Sequence, residues 1–265
     1  MHALLNVAVM AARRAGAVLG RNFKKRDTLK VEKKGHNDFV SEADYAAERA
    51  VISVIHKHYP EHAILAEESG AQGESDHVWI IDPLDGTTNY LHGFPVFCVS
   101  IALQIKGRIE HAVVYDPMRE ELFTASRGEG AQLDGHKIRV SGNKDLDRAL
   151  LGTGFPYRQA DSELQPYLSM LTKVIKNTAG VRRPGAAALD LCYVANGRFD
   201  AFWETGLKAW DLAAGSLIIR EAGGIISELD GGENYLETGH VLTGTPRIYR
   251  ALAKLCASEI KAILK

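Results

Sequence analysis

Trp79-Ile80-Ile81-Asp82-Pro83-Leu84-Asp85-Gly86-Thr87-Thr88-Asn89 opens as a run of large apolar residues and closes as a turn into a helix. The apolar run predicts a strand ending at Asp82, Pro83 predicts a turn, and Gly86 frees the backbone before a helix start at Thr87-Thr88. Two carboxylates, Asp82 and Asp85, would then converge beside a helix N-terminus. The N–H groups there lack intrahelical acceptors and suit a phosphate, whereas the carboxylates repel one unless cations intervene. Carboxylate oxygens, with the Leu84 carbonyl beside them, are hard ligands of the kind Mg²⁺ prefers. Asp-Pro or Asp-Gly alone is an ordinary surface turn; other acids give the stretch its weight. Glu67-Glu68 ends the preceding apolar run, and because strand neighbours alternate faces only one of the two is expected in the same site. Far along the chain, Trp210-Asp211 puts another carboxylate at an expected helix start, where Asp also serves as a plain N-cap.

Outward from this stretch, Leu5, Ala8, Ala12, Ala15 and Leu19 recur at helical spacing, and Ser41-Glu42-Ala43-Asp44 predicts a capping box opening a second helix that stops before Pro60. Between them, Arg21 to Lys34 holds seven basic residues and reads as a solvated surface loop. From His62 to Ala131, short apolar runs predict strands at 63–65, 78–81, 96–105, 109–115 and 121–125, with Lys106-Gly107-Arg108 as a hairpin turn. Beyond Asp147, Leu150-Leu151 precedes a turn, helices are expected over 163–175 and 186–195, and 199–204 alternates like a strand. A last apolar helix runs from Asp211 to Gly223-Gly224. This is a layered α/β outline, sheet with helices followed by a second sheet with helices, in two lobes (residues 1–145 and 146–265) that share an interface because no Pro/Gly/Ser-rich linker separates them.

The chain has 265 residues, 46% of them hydrophobic, with 32 Lys and Arg against 33 Asp and Glu. No global field of one sign draws it toward nucleic acid or an anionic membrane. Cys98, Cys192 and Cys256 form no CxxC and lie in apolar surroundings, which suits a reducing cytoplasm. The N-terminal apolar segment lacks a basic leader and is expected to be a helix of the fold, and no apolar run is expected to span a bilayer. GxSxG, HExxH and Walker A motifs are absent, which argues against a covalent hydrolase, a zincin and an ATP-driven transferase.

Trp79 to Asn89, Trp210-Asp211-Leu212-Ala213-Ala214-Gly215 with Glu221-Ala222-Gly223-Gly224, Glu67-Glu68-Ser69, and Asp38 to Asp44 together resemble the inositol monophosphatase family nearly end to end. The resemblance implies an α/β (α+β) fold, the alternating α/β/α/β/α layered sandwich of the inositol monophosphatase and fructose bisphosphatase type. It further implies a homodimer, two to three Mg²⁺ ions, inhibition by lithium, and hydrolysis of inositol 1-phosphate by a metal-activated water. By position it implies Glu67, Asp82 and the Leu84 carbonyl at one metal and Asp82, Asp85 and Asp211 at a second, with Glu67 also serving a third. Thr87 matches the hydroxyl beside the attacking water and Asp44 the acid that orients it. Asp85, Gly86, Thr87 and Thr88 fall on the phosphate side, and Ala187 and Glu204 where the family contacts sugar-alcohol hydroxyls. The chain departs from its relatives at Pro184 and Ala186, where hydroxyl residues are common, so the substrate side has fewer hydroxyl groups. Fructose 1,6-bisphosphate and 3'-phosphoadenosine nucleotides are the alternative substrates. Bacterial members are also associated with ribosomal RNA transcription, so RNA polymerase, Nus-type antitermination factors or RNA are implied partners, with Arg21 to Lys34 and Arg182-Arg183 as compatible surfaces.

Overall fold

The computed structural model describes residues 2–35, 38–156 and 161–264. Helix α1 (Ala3–Phe23) buries a seam of Leu5, Val7, Ala8, Ala11, Ala12, Ala15, Gly16 and Leu19. Small residues on that seam let the helix lie close; a Cβ on Gly16 would come within 2.5 Å of the Tyr115 ring. Contrary to the sequence expectation, α1 is long and apolar enough to cross a membrane. Its apolar side is instead packed into the core, and Arg13 and Arg14 stand exposed.

The basic stretch that follows is not a loop. Helix α1 continues to Phe23, a 3-10 turn covers Arg26–Thr28, and β1 (Val31–Gly35) pairs antiparallel with β2 (Asp38–Ser41). Lys24, Lys25 and Lys30 are exposed, so the charge run reports solvated side chains and says nothing about the backbone beneath them. Arg26 is tied down, its guanidinium donating to the Phe23 carbonyl at 3.3 Å and lying 5.4 Å over the Phe23 ring. Helix α2 (Glu42–His58) starts at the expected capping box, with Ser41 as N-cap and Asp44 at the third helical position.

The first sheet comprises β3 (Ala63–Ala66), β4 (Gly70–Gln72), β5 (His77–Asp85), then, after α3 (Thr87–Leu91), β6 (Cys98–Ile105), β7 (Arg108–Asp116), β8 (Glu121–Ser126), β9 (Gly130–Leu133) and β10 (His136–Lys137). Its order is β10-β9-β8-β7-β6-β5-β3-β4, with β3 and β5 parallel. Lys106 and Gly107 both take positive φ, 48° and 79°, in the tight turn between β6 and β7, where Ile105 pairs with Arg108. Strand β6 begins two residues later than expected because Asn89 captures the Val96 carbonyl at 2.8 Å, outside the ladder.

Strand β5 departs from its reading in a way that matters. It does not end at Asp82 but runs to Asp85, and its pairing with β6 shifts between Asp82, opposite Ser100, and Asp85, opposite Cys98. One extra residue is accommodated on β5, a bulge, which Pro83 tolerates because it has no N–H to leave unpaired. Residues three apart on a regular strand face opposite ways; the extra residue restores Asp82 and Asp85 to one side.

The second sheet is built from β11 (Leu150–Thr153), β12 (Gly180–Arg182) after α4 (Asp161–Asn177), β13 (Ala201–Glu204) after α5 (Ala187–Ala195), β14 (Ile225–Ser227) after α6 (Ala209–Glu221), and β15 (Val241–Gly244) after α7 (Tyr235–Thr238). Its order is β12-β11-β13-β15-β14, with β11 parallel to β12 and β13. Leu150-Leu151, expected ahead of a turn, are strand residues. Helices α8 (Pro246–Leu255) and α9 (Ala257–Ile263) close the chain.

Three apolar clusters give the layering. Helices α1 and α2 pack on one face of the first sheet; α5 and α6 fill the space between its other face and the second sheet; α4, α8 and α9 cover the far face of the second sheet. The middle layer explains the apolar character of α5 and α6, since a helix covered on both sides has no face to leave polar.

Candidate active site

The bulged end of β5, the start of α3, the start of α5 and the ends of β11 and β13 surround a cavity of about 390 Å³. Asp82, Asp85 and Asp211 stand together in its wall, each with a carboxylate oxygen within 4.8 Å of the others'. Asp82 is 1% exposed, and its Oδ1 accepts the Leu84 N–H at 2.9 Å across the bulge. Burial, then the charges of Glu67, Asp85 and Asp211, hold its carboxyl well above the ordinary carboxylate value. Asp85 accepts the Ala188 N–H on Oδ2 at 2.7 Å. The N-cap of α5 is Ala186, which has no side chain to cap with, and Asp85 serves that end from another strand. Burial and the Asp211 charge push Asp85 up to about 7, against the opposing pull of its bonds from the α5 backbone.

Asp211 is not the first residue of its helix, as expected, but the third. Helix α6 opens at Ala209, Lys208 is the N-cap, and the Lys208 N–H donates to Asp211 Oδ2 at 2.7 Å. The turn is wound two residues early because the acid that caps it reaches back rather than standing at the cap.

Next to the trio, where Thr87 follows β5, lies a second constellation. Asp44 is fully buried; its Oδ2 accepts the Ser41 N–H at 2.9 Å and the Ser41 hydroxyl at 2.6 Å, and its Oδ1 accepts from Thr87 Oγ1 at 3.0 Å. Burial raises the Asp44 pKa, and the hydrogen bonds from Ser41 and Thr87 oppose that shift. Thr87 Oγ1 also lies 3.1 Å from the Leu84 carbonyl. A hydroxyl has one proton, so it donates to Asp44 or to Leu84, and its lone pairs remain able to accept from a third group.

The remaining expected residues fall around the same cavity. Glu67 lines it just past β3, outside the close trio, while the Glu68 N–H donates to the buried Glu48 carboxylate at 2.9 Å, fixing the loop that carries Glu67. Gly86, with φ of 96°, caps α3; a Cβ there would meet the Val96 carbonyl at 2.9 Å. Thr88, Ala187 and Glu204 line the wall, Glu204 from the end of β13. Asn89 holds the two halves of the rim together, its amide donating to the carbonyls of Val96 at 2.8 Å and Pro184 at 2.9 Å.

Two charged residues of the lining, Asp190 and Arg183, were not expected at the site. Asp190 sits inside buried α5, 1% exposed, with Oδ1 unpartnered among the described residues. Burial and then the charges of Glu204 and Asp85 hold its carboxyl well above the ordinary value. A lone acid in the run Ala187 to Ala195 was the available signal. Arg183, expected with Arg182 as a surface compatible with a partner, stands exposed at the cavity rim with its guanidinium 5.5 Å over the Phe155 ring.

The sequence profile of the inositol monophosphatase family matches residues 1–264. The chain is similar to the Nus factor SuhB of Pseudomonas aeruginosa, 51% identical over 271 residues and the whole of both chains. Among solved structures, it resembles the extragenic suppressor protein suhB of Bartonella henselae, with a TM-score of 0.93 at 42% identity, covering 96% of this chain and 98% of that one. It also resembles an inositol monophosphatase from Anabaena, with a TM-score of 0.86 at 39% identity, covering 96% and 95%. The layered fold, the trio of carboxylates from the bulged strand β5 and the first turn of α6, and the match along the whole chain agree: the protein belongs to the inositol monophosphatase family.

Proposed function

We propose that the protein is a Mg²⁺-dependent phosphomonoesterase that hydrolyses inositol 1-phosphate. The observation that carries the reading is the cavity itself, with the carboxylate trio in its wall and the lining hydroxyl of Thr87 held beside it by the buried Asp44. The trio fits a hard divalent cation: its donors are all carboxylate oxygens, and burial together with their mutual repulsion holds two of them above their ordinary pKa. Asp82, Asp85 and Asp211, with Glu67 and the Leu84 carbonyl, would hold the metal. Bound Mg²⁺ supplies positive charge that admits the phosphate and Lewis acidity that favours its hydrolysis.

The chain's own residues do the rest. Asp44, its other oxygen saturated by Ser41, accepts the hydrogen bond of the Thr87 hydroxyl, so the lone pairs of Thr87 Oγ1 are turned outward to accept from and aim a water at phosphorus. The N–H groups of Gly86, Thr87 and Thr88, at the first turn of α3, face the phosphate side. Ala187 and Glu204 meet the hydroxyls of the alcohol. Phosphate release from myo-inositol 1-phosphate, with and without millimolar Mg²⁺, is the test; folded, Mg²⁺-saturated protein that releases none would refute it. Fructose 1,6-bisphosphate and 3'-phosphoadenosine nucleotides belong in the same panel, with Li⁺ as an expected inhibitor.

A second reading rests on the relative that is named a Nus factor: a role in transcription antitermination through RNA polymerase, Nus-type factors or RNA, in a cytoplasmic homodimer. The buried free cysteines agree with a reducing compartment. The exposed Lys24, Lys25 and Lys30 are the surface to test, and Arg26 is not, being held by Phe23. Reversing Lys24 and Lys25 to Glu should weaken polymerase capture and leave phosphate release unchanged; equal capture by parent and variant would discard that surface.

A further inference from the structure

We propose that Gly154 positions the Glu204 carboxylate, so that the missing side chain at residue 154 sets the cavity's preference for hydroxyl-rich phosphate esters. The preference for such esters rests on the function proposed above; the positioning does not. Strands β11 and β13 run parallel with Thr153 beside Trp203, which brings Gly154 beside Glu204 one step further on. A Cβ built on Gly154 would overlap the Glu204 carboxylate, and its nearest neighbours are all atoms of that group. Gly154 has no positive φ, so the backbone does not demand glycine there. What excludes a side chain is the acid lying over it.

The backbone cannot yield instead. The Gly154 carbonyl accepts from the buried Tyr167 hydroxyl at 2.6 Å, and the single proton of Thr153 Oγ1 is within reach of either the Gly154 carbonyl at 3.2 Å or the Trp203 carbonyl at 2.9 Å. An alanine methyl would therefore displace the flexible end of Glu204. A displaced carboxylate misplaces the acceptor offered to the alcohol's hydroxyls, while an ester without hydroxyls has nothing to lose there.

The experiment uses Gly154→Ala, Glu204→Ala and the double variant, with two independent readouts. Thermal midpoints test the contact: Gly154→Ala should cost about 2 to 4 °C in the parent and nothing in the Glu204→Ala background. Equal shifts in both backgrounds overturn the contact, whatever activity does. The ratio of kcat/KM for inositol 1-phosphate to that for p-nitrophenyl phosphate tests specificity. It should fall about tenfold in Gly154→Ala, as for one misplaced hydrogen bond, and no further in the double variant than in Glu204→Ala. An unchanged ratio overturns the specificity claim. If the parent turns over p-nitrophenyl phosphate but not inositol 1-phosphate, the substrate assignment fails and the same ratio is read with glycerol 2-phosphate. Should Gly154→Ala not fold, Glu204→Asp draws the carboxylate back by one methylene and should lower the same ratio; no change would again overturn the claim.

Discussion

Helices α2 and α6 begin alike and serve the cavity differently. Each carries an aspartate at its third position, Asp44 and Asp211, and in each the carboxylate turns back to accept the N–H of the N-cap residue, Ser41 or Lys208. That bond fixes one oxygen and aims the other. Asp44 is saturated by protein hydrogens, with the Ser41 hydroxyl added on one oxygen and Thr87 on the other. Asp211 is half-buried and shares its surroundings with two other carboxylates. The same local device thus orients an acid surrounded by hydrogen-bond donors and an acid surrounded by carboxylates; in the function proposed above the first positions a hydroxyl and the second a cation.

The largest effects should come from the cation side. Asp82→Asn and Asp211→Asn keep the shape and lose the charge, so turnover should fall by about 10³-fold in millimolar Mg²⁺. The Asn carbonyl can still accept the Lys208 N–H, so in EDTA the midpoint of Asp211→Asn should equal or exceed that of the parent. Turnover measured beside melting curves decides this, and near-normal turnover in either variant would remove that residue from the metal site.

On the hydroxyl side the balance reverses. Asp44→Asn should lower turnover by about 10²-fold, the scale of a misplaced positioning group. It should also destabilise the fold by about 1 to 2 kcal/mol, because an amide satisfies fewer of the three donors from Ser41 and Thr87. Urea midpoints for Asp44→Asn and Asp211→Asn, compared without metal, sharpen the contrast; equal losses would mean that both acids are simply caps. Thr87→Val comes next, with turnover down about tenfold or more and a stability loss of about 1 kcal/mol from the donor that Asp44 loses, and Thr87→Ser should retain most activity because the hydroxyl survives.

The reading of these elements from sequence succeeded where local chemistry decides. The capping box at Ser41-Glu42-Ala43-Asp44 and the layered alternation of strands and helices are local patterns, and the structure has both. It failed where pairing between distant segments decides. Pro83 signals a break, but whether the chain turns or bulges depends on β6 continuing alongside, which no local pattern reports. Asp211 looked like an N-cap because the tight start at Lys208 rests on the acid's own reach backward. Asp190 was absorbed into an apolar helix because a single acid barely alters the pattern of α5, and its meaning emerges only when β13 brings Glu204 to the same cavity. The motif itself put Asp85 at the site, but its second role, capping α5 in place of Ala186, belongs to the fold alone.

The smallest expected effect is a pH slope that exists only without metal. Asp85 is pushed up to about 7 from an ordinary value of 3.8, so between those limits the folded protein keeps a proton that the unfolded chain has released. Stability then falls as pH rises through the window and levels off above about 7. Asp82 is shifted in the same direction, which steepens the slope without changing its sign. Asp211 enters as one of the charges that raise both, and Asp44 is raised as well, although the hydrogen bonds it accepts oppose the shift. Melting in EDTA should therefore give a midpoint several degrees higher at pH 5.5 than at pH 8, and the difference should shrink in Asp85→Asn. Saturating Mg²⁺ should flatten or reverse the slope, because a cation that binds the ionised carboxylates favours the deprotonated folded state. A metal-free midpoint that rises with pH across this range would mean that the carboxylates are compensated by protein groups, and the division between the α2 and α6 aspartates would then have to be redrawn.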